Sequence, residues 1–258
     1  MSPKKGMSAG TKKDLISFLE ENEVKNINML NFIKDNPVRS LERIGNSVLM
    51  RGESDCLWVY ISGSDERDLE GVLRRLTPED RTFAAIEDWM LPALTAGRKI
   101  EWHLSMVRLF LPEGVDLSGK RFPHIVPLSP DDADYIYEHS VYRKVTRAEY
   151  IRSRILAGPS AAVYESEKPV AWLMTQDDGS IGVLHVVEDY RGKSYAYDMT
   201  ICIALEIRRK GGLPFVHIEE ANTKAMNLAR KVGFRRDRTL HWFKIRPEGV
   251  PEGSEDYC

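Results

Sequence analysis

The residue types most suited to chemistry stand together in the stretch HVVEDYRGKSYAYDMTI. A β-branched run, His185-Val186-Val187, breaks at Glu188-Asp189, and a short basic turn, Arg191-Gly192-Lys193-Ser194, leads into a long segment with helical periodicity. The first turn of a helix leaves backbone N–H groups without partners and carries the positive end of the helix dipole. A strand that enters a helix through a short, basic, Gly-containing turn is therefore suited to hold a phosphate. The alternative is a solvated strand–helix junction with ordinary charges.

Three further positions carry candidate chemistry. His217 and Glu219 alternate onto one side of the strand segment PFVHIEE, and histidine titrates close to neutrality, which gives His217 the means to move a proton. A packed core histidine is the competing reading. His185, on the strand before the basic turn, titrates in the same range. Asn222 opens the segment ANTKAMNLARKVG, where it suits a helix N-cap. Tyr195 and Tyr197 have hydroxyls able to donate protons, but their places at a helix start suit packing or ligand lining.

Composition excludes several classes. A net charge of −2 and a pI near 6.3 give no basic excess for nucleic acid or an anionic membrane. The basic run RKVGFRRDR reads as a solvated helix end and turn. Cys56, Cys202 and Cys258 are odd in number and lack metal-ligand spacing, so no metal is expected and a reducing cytoplasm is the expected setting. No apolar run approaches the roughly 18 residues of a membrane span. The basic N-terminal stretch lacks the apolar run of a secretory signal and reads as a frayed tail, and the acidic tail PEGSEDYC as disordered. Trp89, Trp102, Met106 and Phe110 read as packing residues.

The elements that must position these residues fall into two halves. Residues 111–130 hold four prolines and two glycines and read as a linker. Before it come two helices (TKKDLISFLEENEV, NINMLNFIKDN) and two hairpin strands, NSVLMRG and CLWVYIS. A helix (DERDLEGVLRRL), a strand (RTFAAIE), a short helix broken by Pro92 and a long strand, KIEWHLSMVRLFL, follow. After the linker's strand HIVPL come a helix capped by Ser129 and a second helix ending at Gly158. Three strands, the helix from Tyr195, the strand PFVHIEE, a short helix and the strand RTLHWFKI complete the chain.

Residues 123–246 resemble the GCN5-related N-acetyltransferase superfamily. The resemblance rests on Arg191-Gly192-Lys193-Ser194-Tyr195-Ala196, set against the family signature Arg/Gln-x-x-Gly-x-Gly/Ala. It rests equally on the preceding strand from Leu184 and on Asn222, Ala225, Leu228, Gly233 and Phe234. GGLPFVHIEEANTKAM is similar to the glycine N-acyltransferase branch, which carries a degenerate acetyltransferase-like half before the working one. The resemblance implies a mixed α/β fold with tandem halves, a degenerate domain over residues 1–120 and a coenzyme-binding domain over 121–258 with a splayed sheet. It implies acyl-CoA, acetyl-CoA above all, as co-substrate and a small amine or amino acid as acceptor. Leu184, His185 and Val186 would then pair with the pantetheine arm, residues 191–197 hold the pyrophosphate, and Asn222 contact the arm. The basic run would aid the 3′-phosphate.

Two departures bear on catalysis. Ala229 replaces the tyrosine that often follows the leucine of the last motif, and Ser180 stands where the glycine-acylating branch places a glutamate base. The resemblance leaves His217, five residues before Asn222, as the position where other branches set the base, with His185 on the strand beside the cleft as the second candidate base. A non-catalytic acyl-CoA-binding or interaction module is the alternative function. The first half has no phosphate signature, and its GSDERDLEG is acidic, so residues 1–110 are not expected to bind coenzyme.

Overall fold

The computed structural model describes residues 11–140, 143 and 146–247. The chain forms two compact units: one runs to Leu104 and regains the chain from His241, and the other spans Ser105–Leu240. The first half supplies α1 (Lys12–Glu20), α2 (Glu23–Asp35), β1 (Val38–Ile44), β2 (Ser47–Glu53), β3 (Leu57–Ser62), α3 (Glu66–Leu73), β4 (Thr82–Glu87), α4 (Leu91–Thr95) and β5 (Ile100–Phe110). The second supplies α5 (Ala133–Glu138), α6 (Ala148–Ala157), β6 (Ser160–Glu165), β7 (Lys168–Thr175), β8 (Ile181–Val186), α7 (Tyr195–Arg209), β9 (Phe215–Ile218), α8 (Thr223–Val232) and β10 (Arg235–Ile245). The same order of elements occurs twice. β5 and β10 each divide between the two units, so the end of β10 completes the first unit and the end of β5 completes the second.

In the first unit β1, β2 and β3 pair antiparallel and β4 joins β3 in parallel. Strand alternation sends Val48 and Met50 to one face, against Leu19, Leu30 and Phe32 of the first two helices. Leu49 goes to the other face, with Leu69 and Val72 of α3. Phe83 and Phe243 stack there at 4.8 Å and 10°. β1 is absent from the sequence reading. Its VRSLERI is charged and only partly buried, which hides the apolar period of a strand. Pro92 does not break its helix. It sits in the first turn, where a missing N–H costs nothing.

In the second unit β7 is buried from Pro169 to Thr175, between two helical layers. Ala171 and Leu173 meet α7 and α8 through Met199, Ile203 and Met226, while Trp172 and Met174 meet α5 and α6 through Ile136, Ile151 and Ile155. The segment read as a linker is laid onto this unit. Leu111 and Leu117 are buried, and Arg208 of α7 donates to the carbonyls of Pro112 and Val115, each at 2.6 Å. HIVPL forms only a single bridge, Val126 to Ala162; Pro127 has no N–H to extend it.

Candidate active site

β8 and β9 are the two parallel strands at the heart of the site, and they pair at a single position, Ile181 with Val216. Beyond it no further pair joins them among the described residues, although β8 continues to Val186. Val183 in this stretch has φ of 57°. A β-branched residue in the left-handed region is strained. It coincides with the register irregularity between β7 and β8, a bulge that turns β8 away from its pleat. The result is a wedge whose wall on one side is backbone, the geometry that accepts an extended ligand as a missing strand.

The wedge leads to the basic turn. Gly192 has φ of 80°, and a Cβ at this position would meet nothing within 4 Å. Ser194 follows at φ 64°, ψ 5°, and its hydroxyl makes no cap to α7. The first turn of this 15-residue helix therefore lacks a side-chain cap, and its N–H groups face the turn. Arg191 donates from Nε to the Val186 carbonyl at 3.1 Å, which ties the turn to the end of β8. Lys193 lies 4.8 Å from the Tyr190 ring. Tyr195 and Tyr197 both pack on the second unit's core, with Lys231 4.9 Å from the Tyr197 ring, and Ala196 adds no bulk at the helix start. Asn222 caps α8 by accepting from Ala225 N at 3.1 Å.

The two candidate bases lie in different settings. His185 stacks on Trp172 at 4.4 Å and 13°, with His139 6.2 Å away, while Leu184 is exposed. Burial, then the charges of His139 and Arg191, hold the His185 imidazole below its ordinary pKa. The His217 side chain is only 2% exposed, with Asp178 Oδ2 3.9 Å from its Nδ1. Burial pushes its pKa down to about 4, aided by Arg108 and opposed by Asp178, so at neutral pH it is an uncharged imidazole able to accept a proton.

Three residues around His217 were missed in the sequence. Arg108 lies directly opposite His217 in the antiparallel register of β5 and β9, which puts both side chains on one face. It is 1% exposed and donates to Asp237 Oδ2 from Nε at 2.9 Å and Nη2 at 2.6 Å. Asp178 is buried too and accepts from both N and Oγ of Ser180, at 2.9 and 2.6 Å. A charged residue inside the apolar run SMVRLFL is the available signal for Arg108. Asp178 gives none, because Asp-Asp-Gly between strands reads as turn chemistry.

A family model described as FR47-like protein matches residues 162–243. No curated protein matches the sequence. Among solved structures, a Drosophila protein is similar with a TM-score of 0.75 at 14% identity, covering 93% of this chain and 98% of its own. A GCN5-related N-acetyltransferase from Kribbella flavida gives a TM-score of 0.56 at 11% identity, covering 87% of this chain and 98% of its own. A GCN5-related N-acetyltransferase-like protein from Streptococcus suis gives 0.51 at 11% identity, covering 92% and 100%. The fold is that of the GCN5-related N-acetyltransferases, with its order of elements present twice.

Proposed function

We propose that the protein transfers an acyl group, acetyl by preference, from acyl-CoA to the amine of a small molecule or amino acid. The observation that carries this reading is the parting of β8 from β9 directly before a helix start that has no side-chain cap. Leu184, His185 and Val186 would offer backbone to the pantetheine arm. The turn at Arg191, Gly192, Lys193 and Ser194, with the N–H groups up to Tyr197, would take the pyrophosphate. The doubled order of elements supports the likeness to the glycine N-acyltransferase branch.

Acyl-CoA supplies an activated thioester. The amine nitrogen bonds to the thioester carbon, the C–S bond breaks, the nitrogen loses a proton, and the thiolate leaves as the free thiol. Holding the two reactants in place contributes up to roughly 7–11 kcal/mol in well-oriented systems. Proton removal adds less, which suits a site where Ala229 is buried in the core and cannot protonate the thiolate. His217 is the residue proposed to take the amine's proton. His185, whose ring is engaged with Trp172, is the second candidate for that role.

The test is thiol release from acetyl-CoA across a panel of amines and amino acids. Release that depends on one amine class supports the reading. Coenzyme binding without turnover of any amine would favour the second reading, a binding module, for which Ala229 and Ser180 speak.

A further inference from the structure

We propose that Asp178 is the positioning residue of His217: its carboxylate, clamped by Ser180, fixes which imidazole nitrogen holds the proton. The inference rests on the acyl-transfer reading for its role, but on geometry for its substance. Asp178 occupies the turn between β7 and β8 and is 4% exposed. Its Oδ1 accepts two hydrogen bonds from Ser180, from N at 2.9 Å and from Oγ at 2.6 Å. Those bonds leave the carboxylate little freedom to rotate, and its other oxygen faces His217 Nδ1 at 3.9 Å.

That separation is that of a loose pair, and catalytic contacts of this kind tighten when substrate is bound. The charged groups around the imidazole include Asp178 from the β7–β8 turn, Arg108 from β5 and, behind Arg108, Asp237 from β10. Glu219 lies two residues on, just past the end of β9. Asp237 engages the Arg108 guanidinium through both Nε and Nη2, and Asp178 places its Oδ2 3.9 Å from the imidazole Nδ1. A neutral histidine beside a carboxylate keeps its proton on the nitrogen that faces it. Nδ1 then carries the hydrogen and Nε2 is the nitrogen that accepts a proton. Ser180, which stands where the glycine-acylating branch places a glutamate base, holds the carboxylate two residues away in the sequence.

Nitrogen-15 spectra of the full chain at neutral pH test this without any variant. The expected tautomer of His217 is Nδ1–H, and an Nε2–H tautomer would overturn the proposal. In Asp178→Asn the amide can donate to Nδ1 and impose the opposite tautomer. The imidazole midpoint and the acidic limb of kcat/KM should then both move to lower pH. kcat should fall at least about tenfold, short of or within the 10²–10⁴ range of a lost base, with KM for acyl-CoA little changed. An unmoved midpoint and limb would refute the pairing. Absence of turnover across the amine panel sinks the acyl-transfer reading. The wrong tautomer in an enzyme that turns over sinks the pair alone.

Discussion

Ser194 holds a backbone conformation that glycine adopts without strain, at φ 64° and ψ 5°. An L-residue there costs roughly 1–2 kcal/mol, partly offset because glycine loses more freedom on folding. Ser194→Gly should raise the melting temperature by an amount worth up to about 1 kcal/mol, and calorimetry measures it. His217 gives a pH signature of the opposite kind. Its folded pKa, about 4, lies below the 6.5 of an exposed histidine. Above 6.5 both states are neutral and nothing is lost. As pH falls from there to about 4 the unfolded chain binds the extra proton, so stability declines, with a slope approaching ~1.4 kcal/mol per pH unit. In His217→Gln that part of the slope should vanish from the curve of melting temperature against pH. Cys202, its thiol pushed up to about 11 by burial and by Asp198, is not a nucleophile near neutrality. Cys202→Ala should keep full activity in the thiol-release assay; a trapped acyl-cysteine would show otherwise.

Two helix starts in equivalent places differ in what they receive. α3 follows β3 as α7 follows β8, but Asp65 caps α3 by accepting from Asp68 N at 2.9 Å, and Glu66 and Asp68 add negative charge. α7 has a basic turn and no side-chain cap. Acetyl-CoA at ~100 times Kd should stabilise the protein by roughly 2.7 kcal/mol. Arg191→Glu should remove most of that shift in a thermal melt, since it reverses the charge at the turn and breaks the tie to Val186. Elements with strong periodicity were legible in the sequence: β2, β3, α6, α7 and α8 lie where expected. β1 escaped because its charges mask the period, and HIVPL failed because Pro127 ends the pairing. Of the candidate site, what was legible is the turn between β8 and α7 at Arg191–Ala196, where a motif fixes backbone. Asp178, Arg108 and Asp237 meet through strand register, and register is decided by distant segments that no local window contains.

The repeated order of elements does not repeat the wedge. In the first unit β3 and β4 pair at three positions, and Lys25 of α2 donates to the Gly63 carbonyl after β3 while lying 3.8 Å from Glu87 at the end of β4. A charged side chain thus links the ends of β3 and β4, where in the second unit β8 and β9 part. The first unit should take no coenzyme. Crystals soaked with acetyl-CoA should show density at the turn before α7 and none before α3. The sharing of β5 and β10 also sets a timetable. The strand that carries Phe243 and Ile245 into the first unit's core is made well after Phe83. At ~5–20 residues per second on the ribosome, Phe83 waits on the order of ten seconds for the ring that stacks on it. Through that interval the first unit is an incomplete sheet with an unfilled edge, and its aggregation risk during synthesis is set by how soon β10 arrives.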